Sequence, residues 1–153
     1  MKINLLIFFI TTIIAFNYNH YNAEETKKSF EDYKVQDIYT GPKAPINEND
    51  LQDNISFEIQ ITEGYKKNIN FAGKYIWIQW GCGTSCQVNL IINAQNGKIF
   101  YAPQSSLDVE YKPNSSMIIV DPYDENDQKN GRPEMYNPPK YYYFNGDTFI
   151  EIK

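Results

Sequence analysis

Lys74-Tyr75-Ile76-Trp77-Ile78-Gln79-Trp80 and Gln87-Val88-Asn89-Leu90-Ile91-Ile92, joined by Gly81-Cys82-Gly83-Thr84-Ser85-Cys86, decide the fold. Side chains on a strand alternate between faces. The first segment therefore sets Ile76, Ile78 and Trp80 on one face and Tyr75, Trp77 and Gln79 on the other. Val88, Leu90 and Ile92 alternate in the same way in the second. Two strands separated by so few residues must return antiparallel, because a parallel pair needs a crossover of a dozen or more. The spacing of Cys82 and Cys86 lets their Cα atoms come within the roughly 7 Å a disulfide requires. In an oxidising compartment they are expected to bridge. Closing so short a ring contributes only about 2 kcal/mol through chain entropy, so the bridge shapes the tip more than it holds the domain together.

Similar signals continue downstream. Asn96-Gly97 is a hairpin turn signal leading into Lys98–Tyr101, since both residues tolerate positive φ. Met117–Asp121 is a further apolar run stopped by Pro122, and Lys140–Phe144 with Asn145-Gly146 and Thr148–Ile152 is the clearest hairpin in the chain. The expected fold is a single, mainly β (α+β) domain: an antiparallel meander sheet of five to seven strands, whose twist could roll it into a partly closed barrel. Residues 55–67 are ambiguous. Ile55, Phe57, Ile59 and Ile61 alternate as a strand would, whereas Phe57, Ile61 and Tyr65 make one helical stripe with Asp53 or Asn54 as N-cap. Residues 24–54 are polar, with Gly41-Pro42 and Pro45 marking turns. They read as an extended lead-in pinned by Phe30, Tyr33, Val35, Ile38 and Tyr39.

Residues 1–23 read as a signal peptide. Lys2 is the only charge before Glu24, and Ile3–Phe16 is almost wholly apolar. About fourteen residues at roughly 1.5 Å each fall short of a bilayer core of about 30 Å. A positive tip, a short apolar run and a polar tail ending near Ala23 are the marks of a secretory signal, with a retained membrane anchor as the alternative. Residues 24–153 are then one secreted or periplasmic domain, without stable membrane insertion after cleavage. Cleavage would also remove His20, the single histidine of the chain. Ser-His-Asp and Cys-His catalysis and His-ligated metals would all go with it. With 14 basic against 19 acidic side chains the full chain carries −5, against the basic stripe expected of a nucleic-acid binder.

Candidate chemistry centres on the tip. Gly81 and Gly83 supply unusual φ values and leave backbone N–H groups exposed, with Thr84 and Ser85 between the cysteines. Three readings follow: a rigid structural staple, a binding surface, and a redox-active dithiol. The redox motif with mechanistic support is C-x-x-C, and here the spacing is C-x-x-x-C. Aromatic residues make up 16% of the chain, so Tyr75, Trp77 and Trp80 are candidates for a ring surface beside the tip, taking a protein or glycan. The alternative is that the rings serve as core and as cover of the second face. The acidic run Asp121, Asp124, Glu125, Asn126 and Asp127 is either a solvated loop or a cation loop. It departs from the EF-hand pattern, with Lys129 where glycine belongs. No residue is assigned a catalytic or metal role, and no cofactor is expected.

Asn70-Phe71-Ala72-Gly73-Lys74-Tyr75 followed by Trp80-Gly81-Cys82-Gly83-Thr84-Ser85-Cys86 resembles a family of small secreted bacterial proteins of uncharacterised function. Its pattern runs N-F-A-G-H-Y, a short strand, W-G-C-G-[ST]-x-C and a T-G or N-G turn. Asn96-Gly97 fits that turn, Tyr111–Ser116 is similar to the segment before the next strand, and the resemblance extends from about Phe30 to the C-terminus. Lys74 stands where the family usually has His. The resemblance implies a helix ahead of the motif, which turns the reading of 55–67 to helix. It implies no activity or substrate. The expected function is a non-enzymatic binding or inhibitor module presenting the tip, with a thiol-disulfide protein or a structural envelope protein as alternatives.

Overall fold

The computed structural model describes residues 28–153; the expected signal peptide and His20 lie outside the described residues. Seven antiparallel strands form two sheets. The first joins β1 (Tyr75–Gly83), β2 (Cys86–Asn93) and β3 (Ile99–Tyr101) in that order. The second joins β4 (Val109–Tyr111), β5 (Met117–Val120), β6 (Lys140–Phe144) and β7 (Phe149–Glu151). Each is a meander in chain order, paired throughout by antiparallel registers. The barrel alternative is not what forms, because the sheets stay separate and pack face to face.

The helical reading of 55–67 holds. A 3-10 turn at Ile55–Phe57 runs into α2 (Glu58–Tyr65), and a shorter helix α1 (Glu48–Asp53) precedes it, capped by the Asn47 side chain accepting from Asp50 N at 3.0 Å. A third helix, α3 (Glu125–Asn130), occupies the acidic segment. No helix among the described residues is long and apolar enough to cross a membrane.

Three layers result, with the first sheet in the middle. Its one face carries Ile76, Ile78, Leu90, Ile92 and Ile99 against Ile61 of α2, with Phe57, Tyr65 and Trp80 packed around them. Its other face carries Tyr75, Trp77 and Ile91 against Val109, Ile118, Val120 and Phe144 of the second sheet. The lead-in then covers the far face of the second sheet. Tyr33 stacks on Tyr143 at 5.1 Å and Ser115 Oγ donates to the Phe30 carbonyl at 2.8 Å, leaving Met117 and Ser115 fully buried. A sheet covered on both sides shows continuous burial along its strands, and β1 is buried from Tyr75 to Ile78 without alternation.

That arrangement corrects the aromatic reading. Tyr75 and Trp77 are 4% and 1% exposed, and neither forms an external ring surface. The reason is the second sheet: the face opposite Ile76 and Ile78 is an interior too. Phe71 and Trp77 meet edge-on at 5.5 Å, Tyr75 and Phe144 at 5.1 Å, and Trp77 stacks on Tyr111 at 4.9 Å. Such pairs contribute about 0.5–1.5 kcal/mol each beyond the area they bury.

Candidate functional site

β1 and β2 run past the edge of the sandwich to make the tip. The β1–β2 register slips by one residue between Gly81 and Gly83, so Cys82 is the extra residue of a bulge. Cys82 and Cys86 are joined by a disulfide with their Cα atoms 5.1 Å apart. Within the ring, Gly83 takes φ +134° and Ser85 φ +52°. Left-handed backbone is costly for a residue with a Cβ, so the staple and the turn constrain one another.

Gly81, Cys82, Gly83, Thr84 and Ser85 are all exposed, and Cys86 is half-buried. A Cβ added at Gly81 or Gly83 would meet no atom within 4 Å, so both glycines face open space. Of the sequence-predicted residues, the structure thus brings together Gly81, Gly83, Thr84 and Ser85 around the disulfide. Trp80 stands at the root, half-buried on the helix side with its ring 5.1 Å from Phe57. Tyr75 and Trp77 belong to the core below.

One residue at the tip escaped the sequence reading. Gln104 Nε2 donates to Cys86 Sγ at 2.9 Å and approaches Cys82 Sγ at 3.7 Å. It arrives through the connection after β3, which runs back along β2: Ala102 N donates to the Asn89 carbonyl, and Gln87 and Ser105 exchange backbone hydrogen bonds. Asn89 holds that connection from inside, its Nδ2 donating to the Pro103 carbonyl at 2.9 Å and to Ser105 Oγ at 3.1 Å. Val88, Asn89, Tyr101, Ala102 and Gln104 line an uncharged cleft of about 230 Å³ there. No local signal marks Gln104: an exposed glutamine far from either cysteine in sequence meets them only through the β2–β3 return.

A larger, open groove of about 460 Å³ lies at the lead-in beside Ile38, Tyr39 and Ile69. Its cation, Lys43, donates to the carbonyls of Tyr65 and Lys67 at 2.6 and 3.1 Å and so caps the C-terminal end of α2. The acidic segment is likewise committed internally. Asp121 accepts from the backbone N–H groups of Ser106 and Leu107 at 2.9 and 2.7 Å, and Asp124 caps α3 by accepting from Asp127 N at 2.7 Å. Asp127 accepts from Arg132 Nη2 at 2.6 Å and Nε at 2.9 Å. Among the described residues there is no group of three or more His, Cys, Asp or Glu placed to hold a metal ion.

The titrating groups with shifted protonation are all tyrosines of the packed layers. Burial raises the phenol of Tyr75; burial and then Asp108 raise Tyr111; burial and then Glu151 raise Tyr142. None of these is at the tip. No family model matches this chain, and no curated protein or solved structure matches it.

Proposed function

We propose that this chain is an exported bacterial binding module, of the periplasm or the cell exterior, that presents the disulfide-stapled tip 81–86 to a protein or glycan partner. The observation that carries the reading is the contrast between tip and body. Tyr75 and Trp77 are buried in the body, while the five residues from Gly81 to Ser85 are exposed yet closed by a covalent ring. A preformed loop loses little conformational freedom on binding, which is where a small interface otherwise loses affinity. The disulfide fits export, since such bonds persist in oxidising compartments.

Thr84→Arg tests it, because Thr84 is exposed and the change leaves the staple in place. Envelope extract passed over wild-type and variant protein, together with a glycan array, should show partners that the wild type retains and Thr84→Arg loses at unchanged melting temperature. Identical retention by both would remove the tip from the binding surface. A second reading, a thiol-disulfide protein, is favoured by the Gln104 amide pointed at both sulfurs.

A further inference from the structure

The two sulfurs of the staple are not equivalent. Cys82 is exposed, the extra residue of a bulge, whereas Cys86 is half-buried at the start of β2 and has the Gln104 amide nearer its Sγ, at 2.9 Å against 3.7 Å for Cys82. A disulfide opens when a thiolate attacks one sulfur and expels the other, and the reaction goes faster the better the leaving sulfur bears negative charge. Access selects the first sulfur; a hydrogen-bond donor favours the second.

Building on the thiol-disulfide reading, we infer that Cys82–Cys86 is a thiol-disulfide exchange site in which Cys82 Sγ is attacked, Cys86 Sγ leaves, and the Gln104 amide holds the departing charge. The co-reactant is a dithiol. One of its thiolates attacks Cys82 Sγ, forming a mixed disulfide as the Cys82–Cys86 bond breaks, and the bonding electron pair stays on Cys86 Sγ. That thiolate accepts the Gln104 N–H and later takes a proton from water. The second thiolate of the dithiol then attacks its partner sulfur in the mixed disulfide and expels Cys82 as a thiolate. The two protons that the dithiol gave to solvent on ionising balance those taken up by Cys82 and Cys86. The dithiol is oxidised by two electrons to a disulfide, and the protein disulfide is reduced to two thiols. Run backwards, the same steps oxidise the pair.

Gln104 serves this role by its position. It is exposed and lines the uncharged cleft with Val88, Tyr101 and Ala102 beside the sulfurs. A neutral amide donor strengthens as its acceptor becomes a thiolate, because hydrogen bonds to a charged partner are the stronger kind. That is a difference between the disulfide and its reduced product.

The test uses Cys82→Ser and Cys86→Ser, each leaving one thiol, with and without Gln104→Glu, which keeps the side-chain shape but replaces the donor by a carboxylate. Thiolate absorbance against pH and alkylation by iodoacetamide at pH 7 are read on all four, and reduction by dithiothreitol is timed on the native disulfide. Cys86 is expected to titrate below the ordinary thiol value of about 8.5 and to alkylate on the order of tenfold faster than in its Gln104→Glu form. Cys82 should respond much less to that change, and Gln104→Glu should slow reduction of the disulfide. A disulfide that dithiothreitol reduces with equal thiols, or with a Cys86 indifferent to residue 104, overturns the assignment of roles while leaving exchange in place. A disulfide that resists excess dithiothreitol in the folded protein overturns both.

Discussion

Ala72 and Gly73 take positive φ in succession, +43° and +74°, and this corner explains why the Asn70–Tyr75 motif has its composition. Gly73 N donates to the Pro113 carbonyl at 2.6 Å and Tyr39 N donates to the Gly73 carbonyl at 2.8 Å, so the turn is clamped by the lead-in and the β4–β5 connection. An added Cβ at Gly73 would collide with the Asp37 carbonyl oxygen. Asn70 Oδ1 accepts from Trp77 N at 2.7 Å and Phe71 is fully buried. These residues hold β1 in place, and none of them reaches the tip. Gly73→Ala should therefore destabilise by about 2–4 kcal/mol, from left-handed backbone and overpacking together. Gly81→Ala, with nothing within 4 Å, should stay within about 0.5 kcal/mol of wild type. Urea unfolding of the two variants is the check, and equal midpoints would contradict the clamp. The glycines themselves were legible in the sequence. Which of them is clamped was not, because Asp37 and Pro113 are remote in the chain.

At the scale of elements, α2 shows how a strand-like pattern became a helix. Ile55 and Ile59 are 52% and 75% exposed, while Phe57, Ile61 and Tyr65 turn toward the first sheet. The alternation of Ile55, Phe57, Ile59 and Ile61 was real but not decisive; the helical stripe at i, i+4 won because Gly64 lets the helix approach closely. A Cβ there would stand 2.5 Å from Ile78 Cγ2. α3 went unread for another reason. Six residues make a marginal helix, and this one is held by the Asp124–Asp127 capping box and by Arg132. The Arg132 guanidinium, nearly buried, also donates to the carbonyls of Asp121 and Asn137 at 2.8 and 2.9 Å and to that of Pro122. Removing one partner of a buried ion pair costs about 3–5 kcal/mol. Arg132→Ala should release the segment around 122–137, seen as faster hydrogen exchange at the amides of Asp127, Gln128 and Gly131. Arg132→Lys should rescue little, since one ammonium lacks the planar fork of donors. Unchanged exchange in Arg132→Ala would show that the cap alone holds the helix.

At the scale of the whole molecule, the inward-facing tyrosines tie stability to alkaline pH. Tyr75, Tyr111 and Tyr142 have phenols raised above the ordinary 10.0, chiefly by burial. The folded chain therefore keeps its phenolic protons to higher pH than the unfolded chain does. The stability these groups support is intact below pH 10 and is lost as pH rises through their folded values. Tyrosinate absorbance at 295 nm should rise in two stages, exposed phenols first and the packed ones together with loss of β circular dichroism. A single smooth titration completed before any unfolding would refute this.

Local pattern determined much on its own: six of the seven strands, their antiparallel sense, the hairpin turns and the pairing of Cys82 with Cys86. Each rests on neighbours in sequence, through side-chain alternation, turn residues and the short reach between two cysteines. Only the tertiary structure decided that the strands divide into two sheets, that Tyr75 and Trp77 lie between them, and that Gln104 meets the disulfide. Alternation shows that a strand has two faces and is silent on what covers the second. The covering sheet here begins beyond the β3–β4 connection, and Gln104 reaches the sulfurs from within that connection. Contacts of that span are set by packing, which no local window contains.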